Sequence, residues 1–368
     1  MKKVLYIGWI GYKNLGDELM ADIFKQQFSI LGESYKLDFV NIEHKYLKNV
    51  SPNQYDLIVL GGGSILSGNG NLIHPYIIEY LYNCLTINKK IMIWGSGIDW
   101  APKDYIERLE NNVEIPILIS NNFSAKIKQV FMESVWSGVR GPLTLKVLEQ
   151  YGVRKDAHIS GDPGFLLKPQ VISKNEQINK LQSTLQHNEK IIGVNWGTSF
   201  NNIYGEDEIT VEDQLAVSLN QFIENGYFIY LFSVWRQDFP SIERLYSKLD
   251  NKSQVILDRN LYNEYELMDI LQNCTFTINF KLHANFISLA ANVPFIAFGY
   301  RFKVFDFVKS INHEKYLVST DEQNISEQIS QLESDIINNR STILSNLNVH
   351  QTNFRKKIIE PFNNGLYI

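Results

Sequence analysis

The sequence predicts an α/β protein made of two doubly wound, Rossmann-like domains that face each other across a cleft. Its 368 residues exceed one ordinary hydrophobic core and suit two domains of about 150 residues each. Strand-like and helix-like segments alternate in both halves, which is typical of parallel sheets with helices on both faces. A stretch rich in Gln, Asn, Ser and Lys at 168–190 separates the two series and is interpreted as a linker.

The first series of elements predicts an N-terminal domain at 1–167. Its last helix has Pro142 in the first turn and Gly152 after the last turn, which are preferred residues at those places. The predicted strands are Lys3–Trp9, Asp56–Leu60, Lys90–Trp94 and Ser134–Val139. The predicted helices are Asp17–Leu31, Pro75–Leu85 and Pro142–Tyr151.

The second series predicts a C-terminal domain at 191–340. A C-terminal helix follows at 341–368, and the sequence leaves open whether it packs back across the cleft. The predicted strands are Ile191–Asn195, Tyr227–Phe232, Thr275–Phe280 and Phe295–Gly299. The last two predicted helices are Ile325–Asn338 and Ile343–Ile359.

Composition argues against several classes of function. No apolar run approaches the roughly 20 residues that a membrane-spanning helix needs. A net charge of −5 without a basic stripe argues against nucleic-acid binding. The N-terminal run Val4–Ile10 is short and broken at Gly8, so it is interpreted as a first strand rather than a signal peptide. We therefore expect a cytoplasmic protein.

The cysteines and the metal-ligating residue types suggest no cofactor. Cys84 and Cys274 lie far apart in apolar patterns and are expected to be reduced core thiols. No cluster of His, Cys, Asp or Glu has the spacing of a metal site. The glycine-rich loops also lack the complete dinucleotide and P-loop patterns.

The segment Lys281–Lys303 places cations and a histidine at the mouth of a strand-turn-helix unit. A short strand is predicted before it, and apolar residues recur at helical spacing until Pro294 ends the helix. His283 therefore lies at a helix N-terminus, where N–H groups and the helix dipole favour an anion. Lys281 and Lys303 can add formal charge to the same pocket. This segment predicts phosphate chemistry.

His283 is also a candidate for proton transfer. A lone histidine is more often structural, but one beside Lys281 at a helix start is a candidate general acid and base, because imidazole exchanges its proton near neutral pH.

A glycine-rich loop follows a buried strand of the N-terminal domain. Gly62 and Gly63 in this loop, with Ser64 after them, serve either a tight turn or close approach of the backbone to a ligand. The sequence favours neither reading.

The turn from the first strand to the first helix carries Asn14, Gly16 and Asp17. Asn14 or Asp17 can simply cap that helix. Alternatively, a carboxylate at this edge can bind or deprotonate an acceptor hydroxyl.

Arg140 stands between a strand and the Pro142 helix, flanked by glycines. Its guanidinium keeps its charge at all relevant pH values, so it is a candidate anion ligand. Asp162 is expected to organise a turn, and Asp238 is a weaker catalytic candidate.

Six motifs in order resemble those of the polysaccharide pyruvyl transferase family and span roughly residues 3 to 320. They are GWIGYKNLGDE at Gly8–Glu18, GGGSIL at Gly61–Leu66, GSGI at Gly95–Ile98, GVRGPLT at Gly138–Thr144, GDPGFLL at Gly161–Leu167 and the segment from Lys281. In the last motif, Lys281, Leu282 and His283 match a basic residue, an apolar residue and His. The family usually has Arg where this chain has Lys281, so a point charge replaces a bidentate group.

The resemblance implies a glycosyltransferase-B-like arrangement and pyruvyl transfer from phosphoenolpyruvate to two hydroxyls of one sugar. The C-terminal domain then holds the donor and the N-terminal domain the acceptor. Arg140, Lys281 and Lys303 are the expected cations for the donor, and His283 the proton-transfer group, with Asp17 as a further catalytic candidate. Leu282, Asn14, Gly16, Gly62, Gly63 and Ser64 complete the predicted substrate contacts.

The acceptor is expected to be a saccharide, lipid-linked or not, so any membrane contact is peripheral and at the cytoplasmic face. The loops Thr198–Tyr204 and Ser67–His74 are candidate acceptor contacts. Two rival functions stay open, a nucleotide-sugar glycosyltransferase on the same architecture and a non-catalytic saccharide-binding protein.

Overall fold

The computed structural model describes residues 1–67, 71–116, 120–153, 155–171, 176–187, 190–205 and 207–368. The chain divides into two compact units. The first unit comprises Met1–Leu166, Arg301–Asn312 and Gln351–Ile368. The second comprises Leu167–Tyr300 and His313–His350.

The first unit contains a parallel sheet of six strands in the order β2-β1-β3-β4-β5-β6. The central strand β3 is a fully buried run of Leu, Ile and Val, as expected for a sheet covered on both faces. The strands are β1 Lys2–Gly8, β2 Tyr35–Asn41, β3 Leu57–Leu60, β4 Lys90–Ser96, β5 Trp136–Val139 and β6 His158–Ile159. The helices between them are α1 Leu15–Phe28, α2 His44–Leu47, α3 Pro75–Thr86, α4 Lys103–Glu110, α5 Asn121–Glu133 and α6 Pro142–Gln150.

The second unit contains another parallel sheet of six strands, in the order β12-β11-β10-β7-β8-β9. Its strands are β7 Ile191–Asn195, β8 Phe228–Phe232, β9 Val255–Leu257, β10 Phe276–Asn279, β11 Phe295–Gly299 and β12 Leu317–Ser319. The helices before β12 are α7 Glu176–Gln186, α8 Glu208–Glu224, α9 Phe239–Ser247, α10 Glu264–Leu271, α11 Leu282–Ala290 and α12 Phe302–Ser310. The chain ends with α13 Ile325–Ile358 and α14 Glu360–Asn363.

Each sheet has one point at which the strand order reverses. That point lies between β1 and β3 in the first unit and between β7 and β10 in the second. In doubly wound sheets, ligands bind outside the carboxyl ends of the strands at this reversal. The two parallel, helix-covered sheets confirm the predicted Rossmann-like fold class.

The division into units differs from the predicted boundaries in three segments. Helix α12 belongs to the first unit, because its Asp306 carboxylate accepts hydrogen bonds from the first turn of α6. The end of α13 also belongs there, where the carbonyl of Ile358 accepts a 2.9 Å hydrogen bond from the Trp94 indole. The predicted linker contains α7, which packs on α10 in the second unit, and its residues 172–175 and 188–189 lie outside the described part.

The two predicted C-terminal helices form one continuous helix, α13, of 34 residues. Both cysteines are buried free thiols, as predicted. No helix in the described ranges is long and apolar enough to cross a membrane. Within the same ranges, no group of three or more His, Cys, Asp or Glu side chains is arranged to hold a metal ion.

Candidate functional site

Lys281 lies at the strand-order reversal of the second sheet. It is the N-cap residue of α11, immediately beyond the carboxyl end of β10. Its backbone N–H donates a 2.9 Å hydrogen bond to the Asn195 side chain, and Asn195 is the last residue of β7. Asn195 thus fastens the start of α11 to the neighbouring strand and fixes the position from which the Lys281 side chain extends.

The Lys281 ammonium group has three kinds of partner. It donates a hydrogen bond to the Thr198 carbonyl and forms an ion pair with Asp238, at 3.1 Å from Oδ1. The Trp235 ring centroid lies 5.3 Å from Nζ, which is within the range of a cation–π contact. The side chain is 16% exposed, so an anion from solvent can reach it only if it competes with these partners.

Asp238 is a buried carboxylate with incomplete hydrogen bonding. Its Oδ1 accepts a 3.0 Å hydrogen bond from the Thr198 N–H, whereas Oδ2 has no hydrogen-bond partner among the described residues. Burial raises the pKa of Asp238, and the Lys281 cation opposes that shift. A Cβ on Gly197 would lie 2.3 Å from the carboxylate, so glycine is required there. The structure therefore brings Asp238, a candidate from the sequence, into direct contact with Lys281.

The loop after β7 is held by a second buried carboxylate, Glu208. Its oxygens accept hydrogen bonds from the Thr198 hydroxyl at 2.8 Å and from the Asn201 N–H at 3.1 Å. The loop turns with positive φ at Phe200 and Asn201, and the Phe200 ring is 67% exposed. The Phe200 ring meets Trp235 edge to face, with centroids 6.0 Å apart. This segment was a predicted acceptor loop, and it presents aromatic surface beside the Lys281 ion pair.

His283 lies in the first turn of α11, as predicted. It is half-buried, and its ring centroid lies 6.0 Å from that of Phe286. The intervening Leu282 is only 3% exposed, so its side chain belongs to the core, and the part of this residue that can face a ligand is its backbone. The roles predicted for His283 and Leu282 remain predictions.

Arg140 is completely buried in the first unit. Its Nη1 donates to the Ser64 hydroxyl at 3.0 Å, and its Nη2 donates to the Ile98 carbonyl at 2.5 Å. Nε lies 3.9 Å from Oδ2 of Asp306. A Cβ on Gly97 would lie 2.6 Å from the guanidinium. In this arrangement Arg140 binds internal groups, which favours a role in holding loops together rather than the predicted contact with an anion.

Two buried carboxyl groups depend on Arg140. Burial raises the pKa of Asp162 to about 6, although Arg140 and the Gly164 N–H act in the opposite direction. Burial also raises the pKa of Asp306, against the effects of Arg140 and of Thr144, whose hydroxyl donates to Oδ2 at 2.6 Å. Asp162 accepts from Gly164 at 2.8 Å, consistent with the predicted turn-organising role. Removing the guanidinium would take away the cation that lowers the pKa of both carboxyl groups.

Lys303 belongs to the first unit, whereas Lys281 belongs to the second. The sequence predicts both residues in the C-terminal domain at 191–340. The Lys303 ammonium lies 2.8 Å from Asp99, and the Arg301 guanidinium contacts the other oxygen of the same carboxylate, also at 2.8 Å. Burial alone would raise the pKa of Asp99, but Lys303 and Arg301 outweigh it and lower the pKa to about 2. Asp99 is thus a permanent anion between two cations.

The loop before α1 is shaped by side-chain caps. Asn14 is the N-cap residue, and its side chain accepts a 3.1 Å hydrogen bond from the Gly16 N–H. Glu18 accepts from the N–H groups of Gly11 at 2.7 Å and Lys13 at 3.0 Å. Asp17 is half-exposed in the first turn. The capping role of Asn14 is therefore observed, and the catalytic role of Asp17 stays a prediction.

The glycine-rich loop after β3 packs against protein atoms. A Cβ on Gly62 would lie 2.4 Å from Pro163. Gly63 has a φ of +91°, a left-handed conformation that favours glycine. Ser64 accepts the hydrogen bond from Arg140. These contacts explain the glycines by close packing and turn geometry. Of the second predicted acceptor loop, residues 68–70 lie outside the described part of the chain.

Comparison with known sequences gives the family. The family model for polysaccharide pyruvyl transferase matches residues 14–301. The chain belongs to the polysaccharide pyruvyl transferase family. The amylovoran biosynthesis protein AmsJ of Erwinia amylovora is 23% identical over 270 residues, covering 70% of this chain and 60% of that protein. The chain thus spans about 60% of the length of this curated relative.

Comparison with solved structures concerns the fold alone. The UDP-glucose complex of Anabaena HepE has a TM-score of 0.54 and 11% identity, with all of both chains covered. A putative UDP-N-acetylglucosamine 2-epimerase from Listeria monocytogenes has a TM-score of 0.58 and 10% identity, covering 98% of this chain and 90% of that one. This pyruvyl transferase family member therefore shares its architecture with proteins of different chemistry.

Proposed function

We propose that the chain is a transferase that moves a pyruvyl group from phosphoenolpyruvate to two hydroxyls of one sugar. The sugar belongs to a cell-surface polysaccharide or to its lipid-linked precursor, and inorganic phosphate is released. The observation that carries the proposal is the family's basic-apolar-His motif, with Lys281 and His283 starting α11 at the strand-order reversal of the second sheet. Anions bind at such helix starts.

Phosphoenolpyruvate suits this place because it carries both a phosphate and a carboxylate. The first N–H groups of α11 and the positive end of its dipole attract one of these groups. The Lys281 ammonium supplies a full charge beside them. This ammonium is already paired with Asp238 and the Thr198 carbonyl. Donor binding therefore requires that the ammonium exchange these partners for an anionic group of the donor.

The proposed reaction balances without a cofactor. A proton adds to the methylene carbon of phosphoenolpyruvate and turns it into a methyl group, which makes C2 electrophilic. One sugar hydroxyl adds to C2, the C2–O bond to phosphate breaks, and the second hydroxyl closes the cyclic ketal. Of the two hydroxyl protons, one replaces the proton used on carbon and the other leaves with phosphate. His283 is the proposed carrier of these protons, because imidazole can donate and accept near neutral pH.

The acceptor side of the proposal uses the first unit, with Asp17 and Asn14 at the turn before α1 as hydroxyl contacts. We further propose a cytoplasmic location, with peripheral contact at the inner membrane face when the acceptor is lipid-linked. Lys303 stays a proposed donor contact, although its partner in the structure is Asp99.

The direct test is phosphate release with and without each substrate. We expect phosphate only when phosphoenolpyruvate and an acceptor are both present, together with a new ketal methyl signal in the proton NMR spectrum. Suitable acceptors are methyl glycosides of galactose, mannose and glucose, and lipid-linked oligosaccharides extracted from the expressing cells. Release of UDP from UDP-glucose with the same acceptors, and no ketal, would support the rival glycosyltransferase instead.

The role of His283 is tested by His283→Asn, which keeps hydrogen bonding but removes proton transfer near neutral pH. We expect the maximal rate to fall by about 10²- to 10⁴-fold with donor affinity nearly unchanged. His187→Asn is the matched control, because His187 is an exposed histidine of the same unit. A variant that keeps its rate and loses donor affinity would make His283 a donor ligand.

A further inference from the structure

A pocket separate from the Lys281 ion pair lies at the carboxyl edge of the sheet in the second unit. It has a volume of about 410 Å³ and is formed by the segments that follow β8 and β9. Arg236 and Phe239 come from the first segment, and Arg259, Asn260 and Tyr262 from the second. None of the six sequence motifs contains these residues. The proposed reaction does not use them either.

The pocket is lined by two guanidinium groups, those of Arg236 and Arg259, and by one carboxylate, that of Glu266. Among the described residues, Arg236 is exposed and its side chain makes no hydrogen bond or ion pair. Arg259 pairs with Glu243 at 2.9 Å, but the two side chains are 63% and 49% exposed. Exposed pairs of this kind contribute little and exchange readily. Glu266 also lines the pocket, and its carboxylate is engaged with the Asn263 N–H at the start of α10.

The segment after β9 is pre-organised by the buried carboxylate of Asp258. Its Oδ2 accepts hydrogen bonds from the hydroxyls of Tyr230 at 3.0 Å and Tyr262 at 2.9 Å. Its Oδ1 accepts from both the backbone and the side-chain nitrogen of Asn260. The Asn260 side-chain oxygen therefore remains as an acceptor for a ligand hydroxyl. With Phe239 and Tyr262 as apolar surface, the lining suits a sugar ring as well as an anion.

The pocket and the Lys281 site lie on the same edge of one sheet. From β10 the strands run to β7, β8 and β9, and a spacing of about 4.8 Å between strands separates the two places by about 10 to 15 Å. Phosphoenolpyruvate is too short to span that distance, but an oligosaccharide is not. One short turn, Arg236–Asp238, joins the pocket to the ion pair of Lys281.

We propose that this pocket binds an anionic sugar unit of the acceptor, a saccharide that carries a carboxylate or a phosphate. Arg236 and Arg259 bind the anionic group, and Asn260 accepts a hydrogen bond from a ring hydroxyl. The bound unit lies one or more sugars away from the residue that receives the pyruvyl group. The identity of the ligand as acceptor rests on the proposed function, whereas the binding itself does not require the reaction.

The test is a set of calorimetric titrations of the whole chain without phosphoenolpyruvate. The probes are methyl β-D-glucuronide, α-D-glucose 1-phosphate, methyl β-D-glucoside and UDP. We expect the two charged saccharides to bind at least tenfold more tightly than the neutral glucoside. Whichever of the two binds more tightly identifies a carboxylate or a phosphate as the preferred anionic group.

Variants connect that preference to the pocket. Arg236→Gln and Arg259→Gln should each weaken charged-saccharide binding by about tenfold or more, since a charged hydrogen bond is lost. Arg108→Gln is the matched control, because Arg108 is an exposed arginine of the first unit paired with Asp104. Its affinities should equal those of the unmodified chain.

Three results would overturn the proposal: equal affinity for charged and neutral saccharides, unchanged affinity in both arginine variants, or UDP binding more tightly than either charged saccharide and losing affinity in Arg236→Gln. The last result would indicate a nucleotide pocket. If ketal formation fails but the glucuronide still binds through Arg236, the pocket stands and the proposed function falls. If ketal forms but the variants bind saccharides normally, the pocket proposal alone falls.

Discussion

Replacing Asp238 by Asn should tighten binding of phosphoenolpyruvate. The substitution keeps the shape of the side chain and an oxygen that can accept from the Thr198 N–H. It removes the negative charge that lies 3.1 Å from the Lys281 ammonium. The donor then meets an uncompensated cation at the start of α11 instead of a neutralised pair.

The size of the gain follows from the geometry. A phosphate seated on the outer side of the Lys281 ammonium lies about 7 Å from the Asp238 carboxylate. At an effective dielectric constant of about 20, the repulsion between two unit charges at that distance is about 2 kcal/mol. Its removal corresponds to an affinity roughly thirtyfold higher. Asn has no ionisable group, so donor binding in the variant no longer depends on the protonation state of residue 238.

Titration calorimetry with phosphoenolpyruvate at low and high salt measures this effect. The gain should shrink in high salt, since mobile ions screen the partly exposed ammonium. Asp213→Asn is the matched control, because Asp213 is an exposed carboxylate paired with Lys248 in the same unit. If folded Asp238→Asn protein binds the donor more weakly than the unmodified chain, Asp238 positions Lys281 for the donor and the repulsion argument is refuted.

Three further substitutions test the sites separately. Asp162→Asn should raise the free energy of unfolding by about 3 kcal/mol at pH 8 and change it little at pH 4. Burial raises the pKa of Asp162 to about 6 from 3.8, so native stability is lost as the pH rises through that range. Urea unfolding from pH 4 to 8 checks this, and a pH-independent difference contradicts it. Arg140→Met should cost about 3 to 5 kcal/mol of stability, because Asp306 loses its cation. Denaturant unfolding measures the loss, and an unchanged midpoint contradicts it. Lys281→Arg should bind phosphoenolpyruvate at least as tightly in calorimetry, and a folded variant without binding would show a pocket built for another ligand.

The central strands could be predicted from sequence, and the edge strands could not. Strands β3 and β11 are continuous apolar runs that are buried throughout. The four missed strands, β2, β6, β9 and β12, are the edges of the two sheets. Strand β2 is mostly half-buried or exposed, and the other three have only two or three residues. Their sequences therefore carry too little hydrophobic pattern to be recognised.

The sequence led to the candidate cations but not to their partners, and the roles of these cations in donor binding remain predictions. The motif and helix-start pattern led to Lys281, and the resemblance supported Arg140. The carboxylate that pairs with Lys281 is Asp238, 43 positions earlier, and such a pairing depends on which strands are neighbours. Asn195 accepts the hydrogen bond that fixes the start of α11. Nothing in the sequence indicates this role, apart from the position of Asn195 at the end of a predicted strand.

Each predicted donor-binding cation has a carboxylate partner within its own unit. Lys281 contacts Asp238, Lys303 contacts Asp99, and Arg140 approaches Asp306. The affinity of such a cation for a ligand anion reflects the difference in free energy between its pairing with the ligand and its pairing with the internal carboxylate. It therefore depends on how strongly the internal carboxylate binds the cation. The lysine pairs are partly exposed and open to exchange, whereas the Arg140 pair is fully enclosed. The lysines are therefore the better candidates for contact with phosphoenolpyruvate, and the guanidinium of Arg140 is better suited to hold the loops around it.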